Sequence, residues 1–363
     1  MNAPTFSTAI MTHPARADRA RELADSLGDL RPVVVVDDSP PGRGNLANAA
    51  RAWGAADPGK SHHVVLQDDV IPCDGFADRL GDALAARPEA AVSLFCEWGS
   101  RTATLVRVAA WNGWSWARAV DMYTPTQGLA LPREAALAFA AEHEDGDGPD
   151  DLPLAAFLRG NGIDNLVTVP NLVDHADHLS LTGNGFQGPR RTACAAPKEP
   201  VDFDTPTAGT GLARLPYASW MRVHAEFFAC GSGAEYAWLG EFADTRLPEG
   251  LRKPDLTGAF AADLAAADLA AADPALGAAV GELVLFEYWT VHFALGLAAP
   301  APVPEPGPLA EAAFATAFPG LFRRYLPEST VDALAVPAGR FAAAAYARGG
   351  RTDLPRPHRD WYE

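Results

Sequence analysis

His63-Val64-Val65-Leu66-Gln67-Asp68-Asp69-Val70-Ile71-Pro72 is the stretch on which the reading of this chain turns. A short apolar run bounded by polar residues predicts a buried strand. In open α/β sheets such strands deliver functional groups at their carboxyl ends. Asp68 and Asp69 are then expected side by side at the rim of a sheet, facing a crevice. Two adjacent carboxylates suit a hard divalent cation such as Mg2+ or Mn2+. They suit equally a turn, or the cap of a helix entered near Phe76.

The flanking sequence extends the α/β pattern. A first strand is expected over 6–12, ending in Thr12-His13-Pro14-Ala15-Arg16, and a helix over 16–27. Pro32-Val33-Val34-Val35-Val36-Asp37-Asp38-Ser39 predicts a second strand, buried on both faces as in a parallel sheet. After the loop Gly42-Arg43-Gly44-Asn45 comes a helix over 46–56, and then the strand quoted first. This alternation is that of a doubly wound sheet. A helix over 76–86 and a strand over 91–96 continue it. The Gly42-Arg43-Gly44 loop lacks the third glycine of a dinucleotide fingerprint and follows the second strand.

Residues 97–123 read as irregular and aromatic, with Trp98, Trp111, Trp114, Trp116 and Tyr123. Beyond them a strand is expected over 126–131, helices over 133–143 and 152–159, and a strand over 166–169. The acidic loop Glu144-Asp145-Gly146-Asp147-Gly148-Pro149-Asp150-Asp151 precedes the second of these helices. The α/β rhythm stops near residue 183. Residues 189–210 read as a linker, and 211–363 as a mainly α-helical region of unknown role, with helices expected over 218–230, 235–242, 257–271, 276–297, 309–325 and 329–347.

Composition narrows the function. The 363 residues suggest two domains, and 48% apolar content allows a sizeable core. A net charge of −17 provides no basic field for nucleic acid or anionic lipid. The scattered Cys73, Cys96, Cys194 and Cys230 read as reduced thiols. No signal peptide and no membrane span is apparent, so a cytoplasmic protein is expected. His62 and His63 read as a solvated strand entry, and Tyr288 and His292 as a buried polar pair on one helix face.

The three strand ends together resemble those of GT-A glycosyltransferases of the family 2 type. The resemblance covers residues 1–188 and implies a GT-A-like doubly wound mixed sheet with a Rossmann-like nucleotide-binding half. It implies metal-dependent transfer of a sugar from a nucleotide-sugar, a UDP-sugar favoured, to an unidentified acceptor (small molecule, glycan, peptide or protein). Thr12, His13, Arg16, Asp37, Asp38, Asn45 and Asp68 would contact the nucleotide-sugar, Asp37 being first choice for the base or ribose. The family's Asp-x-Asp motif appears here as Gln67-Asp68-Asp69, which leaves Asp69 as the direct metal ligand.

Pro149-Asp150-Asp151-Leu152 resembles the helix start that carries the catalytic acid. A carboxylate there would take the acceptor hydroxyl's proton as it attacks, inverting the anomeric centre. Asp151 is preferred as that base, with Asp150 second, and either also suits an ordinary helix cap. Pro170-Asn171-Leu172-Val173-Asp174-His175, then Leu179-Ser180, is similar to the element that places a histidine over the diphosphate and metal. His175 matches it, with His178 sharing the task if the turn is helical. Trp111, Trp114 and Trp116 suit an acceptor wall, though such clusters more often form core. A nucleotidyltransferase would use the same acidic site, and a catalytically inactive GT-A-like module would only bind. Oligomeric state stays open.

Overall fold

The structure, a computed structural model, describes residues 3–40, 42–176, 178, 184–210, 212, 214–230, 236–241, 253–267, 280–299 and 303–351. The chain forms two compact units. The first comprises Met1–Cys96, Ser115–His178 and Ala195–Pro206, and the second Glu97–Trp114, Leu179–Cys194 and Thr207–Glu363. The sequence breaks at 188 and 210 differ from these boundaries. Residues 101–112, expected to be irregular, form a helix of the second unit. Residues 195–206 of the expected linker pack on the first unit, where Trp116 Nε1 donates to Phe203 O.

The first unit opens with β1 (Phe6–Thr12), a 3-10 turn over Pro14–Arg16, α1 (Ala17–Ser26), β2 (Val33–Val36) and α2 (Leu46–Gly54). It continues through β3 (His62–Gln67), β4 (Val70–Pro72), α3 (Phe76–Ala86) and β5 (Ala91–Ser93). After α4 (Arg101–Asn112), which belongs to the second unit, come β6 (Trp116–Arg118), β7 (Gly128–Pro132), α5 (Arg133–Glu142), α6 (Asp151–Gly160), β8 (Asn165–Thr168) and β9 (Val173–His175).

Seven of these strands lie side by side in the order β6-β8-β5-β7-β3-β1-β2. β1 pairs parallel with both β2 and β3, and β5 with β8; β7 and β6 run antiparallel to their neighbours. The fold is therefore α/β with a mixed sheet. Side-chain alternation decides which helix covers which face. Ile10, Val64, Leu66, Val92 and Ala130 face α1 and α3 through Leu23, Leu80 and Leu84. Ala9, Met11, Val65, Ala91 and Leu129 face α2, α5 and α6 through Trp53, Phe139 and Leu158. Helices cover both faces, as a doubly wound arrangement requires.

Two expectations for these strands need correction. The four valines of β2 are not buried on both faces: β2 is the edge strand, and Val33 is 52% exposed. His62 and His63 are buried rather than solvated. His63 bonds Ser7 Oγ at 2.7 Å and Ala52 O at 2.9 Å, His62 bonds Pro88 O at 2.9 Å, and burial lowers both pKa values.

In the second unit, α4 has the caps that 97–123 should have suggested. Ser100 Oγ accepts from Ala103 N, and Gly113 follows at φ 68°. Helices expected over 218–230 and 235–242 are instead strands: β10 (Arg214–Ser219), β11 (His224–Cys230) and β12 (Tyr236–Glu241) form an antiparallel sheet. Alanine, glutamate and phenylalanine there read locally as helical; cross-strand pairing outweighed that preference.

The unit also contains α7 (Lys253–Ala267), α8 (Glu282–Ala298), α9 (Pro308–Ala315), α10 (Ala317–Phe322) and α11 (Glu328–Arg351). α8 and α11 approach so closely that a Cβ on Gly296 would lie 2.0 Å from Tyr346 O. Tyr288 and His292 form a buried pair on α8, with His292 Nδ1 2.8 Å from Tyr288 O. Among the described residues no helix is long and apolar enough to cross a membrane. Cys73, Cys96 and Cys194 are thiols.

Candidate functional site

The Asp68–Asp69 turn sits where β3 ends and β4 begins. β4 pairs antiparallel with β9, which sets Val70 opposite His175. Ala176 N donates to Asp69 O at 2.8 Å and closes that small ribbon. As a result the imidazole Nε2 of His175 lies 3.4 Å from Asp69 Oδ2. From the neighbouring parallel strand, Thr12 at the end of β1 donates its hydroxyl to Asp68 Oδ2. The 3-10 turn after β1 carries Arg16 back over the strand end. Its Nη1 lies 3.3 Å from Asp68 Oδ1 and 3.0 Å from Asp69 Oδ2.

Five sequence-predicted residues therefore meet at the carboxyl ends of two adjacent strands: Thr12, Arg16, Asp68, Asp69 and His175. His13 does not join them; it is exposed and accepts from Ala15 N at 3.1 Å, capping the 3-10 turn. His178 is exposed, and residues 173–175 form a strand, so the helical turn that would have paired it with His175 is not formed. Leu179 and Ser180 lie outside the described residues.

A second group hangs from the same turn. Gln67 Nε2 donates to Thr126 Oγ1 at 2.9 Å, and Thr126 Oγ1 donates to Asp150 Oδ1 at 3.3 Å. Asn45 and Asp150 bond reciprocally: Asn45 Nδ2 donates to Asp150 Oδ1 at 2.9 Å, and Asp150 N donates to Asn45 Oδ1 at 3.0 Å. The Gln67 amide supplies a donor that a carboxylate would lack. Gln67→Glu is therefore expected to lower unfolding free energy by about 1–3 kcal/mol, read from the urea midpoint, because Thr126 would meet an acceptor in place of a donor.

The Asn45–Asp150 pair depends on glycine at 44. A Cβ there would lie 2.0 Å from Gly148 O, so the two loops meet backbone to backbone. Leu46 N donates to Gly148 O at 3.1 Å, and Arg43 Nη2 to Asp145 O at 2.8 Å. Both loops are visible in the sequence, but their clasp is not. The small-residue positions 44, 146 and 148 were the available signal.

Burial separates the two candidate bases. Asp150 is 4% exposed, and its carboxyl is pushed up to about 6, chiefly by burial, with the Asn45 bond opposing and the Asp151 charge reinforcing the rise. It stands at the N-cap position of α6 without capping it, since its side chain turns inward. Asp151, the first helical residue, is partly exposed and accepts from Leu152 N at 2.8 Å.

Asp37 and Asp38 form a third group at the end of β2. Asp37 Oδ1 accepts from Ser39 N at 2.9 Å and from Arg51 Nη2 at 3.3 Å, while Arg51 Nη1 pairs with Asp38 Oδ1. Asp37 N donates to Thr12 O at 2.8 Å, which ties this group to the first through β1. Arg51 and Thr126 join these candidate groups without a local signal, each being a single polar residue inside an otherwise structural segment.

The tryptophan wall is not formed as expected. Trp111 is 3% exposed on α4, in ring contact with Phe314 and Tyr346, with Nε1 donating to Pro304 O at 2.8 Å. Trp116 is fully buried on β6 against Phe203, in the first unit. Trp114 is half-buried and lines an apolar cavity of about 180 Å³ within the second unit, with Leu105, Val108 and Leu295. Alternating aromatic residues beside a glycine read as a loop; here that glycine ends a helix, and the indoles on either side fill two different cores.

For a divalent metal, the donor types are suitable but their arrangement is not. Among the described residues no group of three or more His, Cys, Asp or Glu side chains is gathered to hold an ion. Asp68 and Asp69 converge on Arg16 instead. Neither a protein-family model nor a curated protein matches this sequence.

Proposed function

We propose that the first unit transfers a sugar from a nucleotide-sugar, with UDP-sugars favoured, to an acceptor hydroxyl. One observation carries this reading: the Thr12–Arg16–Asp68–Asp69–His175 cluster lies at the carboxyl ends of β1 and β3. The chain leaves β1 toward β2 on one side and then adds β3 on the other, with α1 and α2 on opposite faces of the sheet. Doubly wound sheets bind nucleotides at the strand ends where such a reversal occurs. The GT-A resemblance of the same strand ends supports the donor class.

In this reading Asp37 meets the base or ribose, with Asp38 and Asn45 bordering it. Asp68 faces the ribose, and Arg16 and His175 face the diphosphate. Asp151 takes the proton of the acceptor hydroxyl as its oxygen bonds to the anomeric carbon. The bond from that carbon to the diphosphate oxygen breaks with its electron pair, and the nucleoside diphosphate leaves. Attack opposite the leaving group inverts the centre. Asp150 is too buried for the proton transfer and positions Asn45 and Thr126.

A nucleotidyltransferase would be expected to carry a glycine-rich basic loop after β1, and Thr12-His13-Pro14-Ala15-Arg16 is not one. The reading is tested by a thermal-shift screen of nucleotide-sugars and nucleoside diphosphates, with and without Mn2+. A ligand at a hundredfold excess over its Kd adds roughly 2.7 kcal/mol to stability, a clear rise in Tm. A UDP-sugar is expected to give the largest rise; no rise with any nucleotide would sink the proposal.

A further inference from the structure

The acidic turn holds its positive charge within the chain. Two successive carboxylates beside a buried strand repel each other unless a cation joins them. Here one nitrogen does so: Arg16 Nη1 reaches Asp68 Oδ1 at 3.3 Å and Asp69 Oδ2 at 3.0 Å. The side chains of Arg16, Asp68 and Asp69 are 14%, 7% and 10% exposed, so solvent screens the triplet weakly. The remaining oxygen of Asp68 takes the Thr12 hydroxyl, and Asp69 Oδ2 also has His175 Nε2 at 3.4 Å.

A metal ion coordinating these oxygens would need them at about 2.0–2.6 Å and would stand next to the guanidinium. Two cations cannot share that place without strong repulsion. We propose that Arg16, rather than a divalent cation, is the counter-ion of Asp68 and Asp69, and that the two are mutually exclusive occupants of the turn. This departs from the metal dependence that the Gln67-Asp68-Asp69 resemblance implies. The proposal stands on the geometry of the turn, and only its nucleotide arm rests on the glycosyl-transfer reading.

The test is Mn2+ binding to the full chain, followed by electron paramagnetic resonance of the free ion, with and without UDP. Arg16→Gln is expected to bind Mn2+ about tenfold or more tightly than wild type, because the competing charge is gone. Arg16→Lys should resemble wild type, and adding Asp69→Asn to Arg16→Gln should abolish the binding. Wild type binding Mn2+ as tightly as Arg16→Gln, alone or only with UDP, would overturn the proposal. If Arg16→Gln does not fold, as judged by circular dichroism, wild type and Asp69→Asn decide. Mn2+ binding to wild type that Asp69→Asn removes counts against the proposal, and its absence counts for it. Calorimetry with UDP separates the two readings. UDP that fails to bind with or without Mn2+ removes the glycosyl-transfer reading and leaves the Mn2+ comparison standing. UDP that binds wild type equally well in EDTA supports both.

Discussion

An Asp151→Asn variant is expected to release nucleoside diphosphate from its donor about a thousandfold more slowly than wild type, while binding that nucleotide with unchanged affinity. The two adjacent acids differ in their surroundings. Asp150 is enclosed by Asn45 and Thr126, whereas Asp151 stands partly exposed at the first position of α6. In the proposed mechanism the general base must reach the acceptor oxygen, and Asp151 is the more exposed of the two acids. Asparagine keeps the size and the acceptor for Leu152 N. Loss should therefore fall on kcat and not on Tm or on nucleotide Kd. The measurement is a product-release assay with the donor selected by the binding screen and a panel of hydroxyl acceptors. Turnover within a few-fold of wild type would remove Asp151 from the chemistry. Nucleotide binding without turnover in wild type itself would favour the inactive binding module.

Asp150→Asn is expected to act on stability, and its sign depends on pH. Burial lifts this carboxyl from 3.8 to about 6 in the folded chain. The folded state then binds the proton more tightly than the unfolded state, so stability falls as pH rises from about 4 to about 6. Above that window the ionised form is retained at a cost of about 3 kcal/mol. The neutral isostere is free of that cost. The variant should match wild type near pH 4 and exceed it at pH 8 by up to about 3 kcal/mol, several degrees in Tm. His62 and His63 tilt the other way: their lowered pKa values mean stability is lost as pH falls through and below about 6.5. Both proteins carry them, so they cancel in the difference. Parallel urea-midpoint curves from pH 4 to pH 8 would refute the assignment.

What could be read in advance follows the range of the forces involved. β1, β3 and α3 follow from local pattern, since an apolar run bounded by polar residues, or an apolar helix face, lies within a few residues. The acidic turn and His175 could be singled out as candidates because paired acids after a strand and a Pro-x-Leu-Val-x-His segment are short, local arrangements. The partners of those residues were not. That Val70 pairs with His175 depends on strands a hundred residues apart, and that Arg16 swings onto Asp68 and Asp69 depends on the turn after β1. The valines of β2 show the same limit: their composition says strand, but only the sheet order makes them an edge. The tryptophans failed for a related reason. An indole at a helix end or on a strand looks alike in sequence whether its face meets solvent or a neighbouring phenylalanine.

The most direct test of nucleotide-sugar binding at the strand ends is hydrogen–deuterium exchange of the wild-type chain, with and without the nucleotide-sugar giving the largest thermal shift. Slowed exchange over 12–16, 37–45, 67–70 and 173–176 is the expected result. A nucleotide-sugar that binds while these segments exchange unchanged, with protection falling elsewhere in the chain, would contradict it.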